Sequence, residues 1–209
     1  MKVSMMRTIK KQAGFSLIEL LIALTLFSAV VTIVSGVVLA MVDANAKAQN
    51  IQLITNNLTF ALDSMSREIR TGFYYYCRSN EIATPGVTET RDCSNGGRFM
   101  SIVEAGDSLT AGNATPRIDY FYDDDYYTDY NGDSYGAILR RFDDGNGWVP
   151  LTADNVRITN AEFIVTGSTR GDDVQPSVTI FIEGEAGDFE GIESSFSVQT
   201  TVVQRIIDV

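Results

Sequence analysis

Gly14-Phe15-Ser16-Leu17-Ile18-Glu19 stands between a basic leader and a long apolar run. Met1 to Gly14 carries Lys2, Arg7, Lys10 and Lys11 and no acidic residue. From Leu20 to Val42 no charged side chain occurs. At about 1.5 Å rise per residue, a helix over this run exceeds the roughly 30 Å hydrocarbon layer of a bilayer. The leader cations are expected to stay cytoplasmic, which sends the C-terminal body outward. An ordinary secretory signal places its apolar core before a small-residue cleavage site. Here the small residue comes first, so a cut after Gly14 keeps the apolar segment on the mature chain. Glu19 separates this pattern from a plain signal anchor. A carboxylate inside a membrane span costs about 3 kcal/mol or more and is there for a partner.

Past Val42 the chain turns polar but keeps a helical period. Ile51, Ile54, Leu58, Leu62, Met65 and Ile69 recur at steps of three and four, which puts them on one face. A stripe of this kind is expected to pack under a sheet. Gly72 is expected to cap the helix, with Arg67 and Arg70 in the last turn. A continuous helix from Phe15 to Arg70 would be about 80 Å long. Gly36 lies inside the apolar half, where it either weakens the helix locally or permits close helix packing.

The rest of the 209-residue chain is long enough for one domain. Net charge is −11, and because the leader holds four cations and no acid, the remainder carries −15. A body this acidic repels phosphate backbones, so no nucleic-acid partner is expected. The chain has no histidine. That removes Ser-His-Asp and Cys-His catalysis and histidine-ligated metal. No glycine-rich phosphate cradle is evident, and no enzymatic activity is expected. If the body is exported, a disulfide between Cys77 and Cys93 is favoured over two free buried thiols.

Strand signals follow, separated by Gly, Asn, Asp and Pro. They predict strands over Phe99–Val103, Arg117–Tyr122, Gly136–Phe142, Trp148–Leu151, Val156–Val165, Pro176–Glu183 and Ser194–Ile207. Alternation of Val178, Ile180 and Ile182 with Thr179, Phe181 and Glu183 suits an antiparallel sheet with one face on the helix. Phe73 to Tyr76 is expected to seat a loop on the core, and Cys77 to Cys93 to enclose a polar loop. Asp123 to Asp133 is an acidic, tyrosine-rich stretch. Within it Asp129, Asn131 and Asp133 alternate as in the first half of a calcium loop. Ser134 and Arg140 stand where an EF-hand has glycine and glutamate, so this is not an EF-hand. A weak calcium site and a solvated acidic loop both remain readings of it.

The basic leader, Gly14-Phe15, Glu19 and the uncharged run resemble the N-terminus of type IV prepilins and type II secretion pseudopilins, whose class III signals are read by a prepilin peptidase. Leu58 to Gly72 resembles the end of the long helix in J-type minor pseudopilins and W-type minor pilins. The resemblance implies an α+β, pilin-like fold, with one long N-terminal helix on an antiparallel sheet. It divides the chain into a leader (1–14), a membrane or filament-core helix (15–42), an amphipathic second half (43–72) and an exported β-rich domain (73–209). It implies cleavage after Gly14, N-methylation of Phe15, and pairing of Glu19 with the methylated amine of a neighbouring subunit. The implied partners are the prepilin peptidase, other pilin or pseudopilin subunits, an inner-membrane assembly platform and membrane lipid. The implied location is the cytoplasmic membrane, then a periplasmic or extracellular filament. Some pseudopilins hold calcium; no other cofactor is implied. The role implied is that of a minor filament subunit; the alternative is an extracellular adhesin or binding module on a pilin anchor.

Overall fold

A computed structural model describes residues 14–105, 117–129, 132–142, 147–188 and 192–205. The chain divides into two compact units, Met1–Asn45 and Ala46–Val209. One helix, α1, runs over Leu17–Thr71.

In the first unit every described residue is solvent-exposed, apolar side chains included. Leu17, Phe27, Val37 and Met41 are among the exposed large residues. This part of α1 is long and apolar enough to cross a membrane. Three of its hydroxyls are satisfied internally. Thr25 donates to the Ile22 carbonyl, Thr32 to that of Ser28 and Ser35 to that of Val31, each at 2.9 Å. Such back-bonding lets polar side chains sit in an apolar medium without an unmade hydrogen bond. The helix continues through Gly36.

In the second unit Ile54, Leu58, Ala61, Met65 and Ile69 are the buried helical residues. Their spacing keeps one helical stripe. The predicted stripe needs two corrections. Ile51 is half exposed, and Ala61 rather than Leu62 lies fully buried at its centre. A small residue there allows the helix backbone close to the sheet, and Leu62 packs at the margin. Gly72 ends the helix by a different route from the expected cap. Its backbone is not left-handed. A Cβ there would come within 2.9 Å of the Glu68 carbonyl oxygen and 3.1 Å of that of Val103. Close approach, not a turn conformation, makes glycine necessary.

Nine strands follow among the described residues: β1 (Phe73–Arg78), β2 (Cys93–Gly97), β3 (Phe99–Val103), β4 (Arg117–Thr128), β5 (Ser134–Phe142), β6 (Val149–Pro150), β7 (Val156–Thr166), β8 (Ser177–Asp188) and β9 (Ile192–Val203). The order is β1-β3-β4-β5-β7-β8-β9, with β2 on β7 and β6 on β5. All these pairings are antiparallel. The architecture is therefore α+β and pilin-like, as the resemblance implies. Met100, Ile102, Ile118, Tyr120, Ile138, Phe163, Ile180 and Ile182 share one core with the helix stripe. Val178, Ile180 and Ile182 point inward, as their alternation predicts. β5 and β7 meet at a single pair, Gly136 with Ile158. A Cβ on Gly136 would lie 2.5 Å from Tyr122 Cε2 and 2.7 Å from the Ile158 carbonyl oxygen, so only glycine fits this junction.

Four readings of the linear pattern change. Phe73 to Tyr76 is not a loop but part of β1, bulged between Phe73 and Tyr76, with Tyr74 at φ 55°. The span between the cysteines ends in strand on both sides, because Cys93 pairs with Val165 and Gly97 with Phe163. β4 continues through Asp123–Asp125, which composition reads as loop. Tyr127 and Thr128 pair with Tyr135 and Ser134 and carry the hairpin past the aspartates, which sit at an irregularity. The predicted strand over Trp148–Leu151 shrinks to two residues. Asp143 and Asp144, and the end of the predicted C-terminal strand at 206–207, lie outside the described residues.

Candidate functional site

Gly14, Phe15 and Ser16 precede the first helical residue and are not helical themselves. Phe15 is 82% exposed, and nothing lies within 4 Å of a Cβ built on Gly14. The peptide bond between them therefore lies outside the helix and is accessible. Ser16 caps the helix. Its Oγ accepts the Glu19 backbone N–H at 3.3 Å, and its carbonyl accepts that of Leu20 at 3.2 Å. Ser16-Leu17-Ile18-Glu19 has the spacing of a capping box. The serine, three positions before the glutamate, is a signal available in the sequence. The cap sets Glu19 in the first helical turn, where the helix dipole favours an anion. Among the described residues no cation pairs with the Glu19 carboxylate.

In the body, Cys77 of β1 and Cys93 of β2 are joined by a disulfide, with a Cα–Cα distance of 5.6 Å. It links the edge strand β1 to the segment lying on β7. Arg117, only 2% exposed, holds the loop that the disulfide closes. Its guanidinium donates to Ser101 Oγ at 2.7 Å, to the Gly86 and Val87 carbonyls at 3.0 and 3.1 Å, and to the Tyr74 carbonyl at 2.6 Å. Burial lowers its pKa to about 10. A single arginine at a strand start announces nothing of this. The nearest signal is the Arg117-Ile118-Asp119-Tyr120 alternation, which puts two charges on one strand face.

The helix and sheet of the second unit are also tied by polar groups. Tyr120 donates its hydroxyl to Glu68, and Arg140 Nη2 lies 2.5 Å from Glu68 Oε1. Burial pushes the Glu68 carboxyl above its ordinary range, against the pull of Tyr120 and Arg140. The Tyr120 hydroxyl is pushed up as well, chiefly by burial.

The calcium candidates separate. Asp129 Oδ2 lies 2.6 Å from Arg157 Nη2, and Asp129 Oδ1 accepts the Asp133 backbone N–H at 2.9 Å. Asn131 lies outside the described residues. Among the described residues no group of three acidic, cysteine or histidine side chains is placed to hold a metal ion. Tyr126, Tyr127 and Tyr135 form a ladder at this hairpin end, with ring centroids 4.8 and 5.4 Å apart.

Residues 9–35 match the family model of the prokaryotic N-terminal methylation motif. The chain carries the class III signal of type IV pilin precursors. No curated protein and no solved structure matches the chain. The motif ends before the amphipathic half of α1 begins, so it speaks for the precursor's N-terminus and not for the sheet. What it implies for this prepilin-like chain is processing by a prepilin peptidase, membrane anchoring, and assembly with other pilin-type subunits. The motif is that of a structural subunit.

Proposed function

We propose that the chain is a minor subunit of a type IV pilus or a type II secretion pseudopilus. A prepilin peptidase cuts after Gly14, and Phe15 becomes the N-methylated terminus. The uncharged half of α1 holds the subunit in the membrane with its body outside, and later packs against like helices in the filament core. Glu19 pairs with the Phe15 amine of a neighbouring subunit. The observation that carries this reading is an accessible Gly14–Phe15 bond joined to a capped first turn holding the only carboxylate of an apolar stretch. A carboxylate carried into a membrane without a cation is costly, so this one selects a partner that brings a positive charge.

The first test is the N-terminal mass of the protein from membranes with and without an active prepilin peptidase. Methylated Phe15, present only with the peptidase, is the expected result. A terminus at Met1 in both preparations would overturn the reading. In the second test, Glu19→Leu is expected to leave processing intact while filament entry falls sharply.

A pilin-anchored adhesin is the second reading. The exposed end of the β4–β5 hairpin favours it, where Asp124, Asp125 and Tyr126 face solvent. Attachment lost without any assembly defect would single it out.

A further inference from the structure

Between β5 and β2, strand β7 lacks a neighbour on one edge. β5 pairs with it at Ile158, and β2 at Phe163 and Val165. The register gives residues 159–162 no partner on that side. β2 also bulges between Cys93 and Gly97. The gap opens as a cleft of about 310 Å³ lined by Ser79, Asn80, Asn95, Arg98, Asn160 and Glu162. Gly96 and Gly97 form its floor. Neither tolerates a side chain: a Cβ would lie 2.7 Å from Glu162 Oε2 at Gly96, and 2.5 Å from the Arg78 carbonyl oxygen at Gly97. Gly96 is also left-handed, at φ 83°. The backbone is thus laid bare along an open polar cleft. The volume lies at the lower end of the range of small-molecule sites, roughly 300–1,000 Å³.

The chemistry of the lining is selective. The side chains of Asn80, Asn95, Asn160 and Glu162 make no hydrogen bond or ion pair among the described residues. Their hydrogen-bonding capacity is unspent. Arg98, the one cation, is already held by Asp124 at 2.7 Å and lies over the Tyr122 ring, 5.1 Å from its centroid. It therefore acts as a fixed wall more than as a free charge. Three amides offer donors and acceptors side by side, and one carboxylate offers acceptors only. An anionic ligand meets Glu162 and a chain of net charge −11. A metal ion meets a single carboxylate, too few for a hard cation. A neutral ring carrying several hydroxyls matches the set, because each hydroxyl both donates and accepts, and its bonds to Glu162 are charge-assisted.

We propose that this cleft binds a neutral carbohydrate ring, through Asn80, Asn95 and Asn160 as bidirectional partners and Glu162 as acceptor. The disulfide supports the site, because Cys93 anchors the strand that supplies Asn95 and the glycine floor. The proposal goes beyond filament assembly and requires nothing of Phe15 or Glu19.

The test uses the full chain in micelles of a sugar-free amine-oxide detergent. Saturation-transfer NMR is run against the methyl glycosides of glucose, galactose, mannose and N-acetylglucosamine. N-acetylneuraminic acid, inorganic phosphate and calcium chloride serve as contrasts. At least one neutral glycoside is expected to bind with a Kd of about millimolar order, as befits an open, hydrogen-bonded site. Asn95→Ala and Asn160→Ala should each weaken it about three- to tenfold. Both variants should keep the wild-type melting temperature, since neither side chain is used in the fold. Tyr126→Ala, at the hairpin end, should leave binding unchanged. The proposal is overturned if no neutral glycoside gives transfer at about tenfold above a millimolar Kd. It is equally overturned if transfer survives both asparagine variants, or if only the acidic sugar, phosphate or calcium binds. None of these outcomes alters the N-terminal mass, so failure here and failure of the filament reading are separable.

Discussion

The two halves of α1 obey the same helical rules and meet opposite fates. From Leu17 to Asn45 the apolar side chains all face outward. From Ala46 to Thr71 a narrower stripe, Ile54 to Ile69, is buried in the core of its own unit. A helix that is apolar all round has to be covered by something outside the chain, either lipid or like helices. A helix with one apolar stripe can be satisfied by one sheet. One element thus serves as both an anchor and a core.

Substitution on each half sharpens the contrast. Met65→Ala opens a cavity in the packed half and is expected to cost about 2–5 kcal/mol of stability in the second unit. Leu24→Ala, on the uncovered half, should leave that stability unchanged. Chemical denaturation of the full chain in detergent, followed by tyrosine fluorescence, reads both. Equal losses would mean that the apolar half also supports the fold of the body.

A smaller loss is expected at the seam of the sheet. Replacing Cys77 and Cys93 by serine removes a link across 16 residues, which should cost about 3 kcal/mol. The same denaturation curves measure it. An unchanged midpoint would mean that Arg117 alone holds the 77–93 segment in place.

The smallest effect concerns pH. Burial raises the Glu68 carboxyl from its ordinary 4.5, so the folded chain holds that proton more tightly than the unfolded one. Its contribution is complete below 4.5 and is lost as pH rises through the raised value. The wild type should therefore lose stability relative to Glu68→Gln as pH climbs above 4.5. A difference that moves the other way would show that Arg140 and Tyr120 outweigh the cost of burying the charge.

Which parts were readable from the chain follows from how far each signal reaches. The strand over Phe99–Val103 announces itself by a short apolar run and that over Val156–Thr166 by local alternation, and both form nearly as predicted. β1 and the outer end of β4 do not. Phe73–Tyr76 reads as an aromatic cluster until Met100 and Ser101 pair with Cys77 and Tyr76. Asp123–Asp125 reads as a loop until Arg98 neutralises Asp124 and Tyr127 pairs with Tyr135. In both cases a partner distant in sequence overrides local propensity. The polar cleft is further removed still, since its residues come from three stretches, around 79–80, 95–98 and 160–162.

The basic leader, the Gly14-Phe15 pair, the charged residue in the apolar run and the helical stripe were all present in the linear order. Each depends on neighbours within one or two helical turns, or on a run long enough to outweigh a bilayer's thickness. Tertiary structure alone decided that Gly72 and Gly136 are spacing glycines, that Arg117 ties the disulfide-closed loop to β4, and that β7 is left open between β5 and β2. These features arise where segments far apart in sequence approach within a few ångströms, and no local pattern of residues encodes such distances.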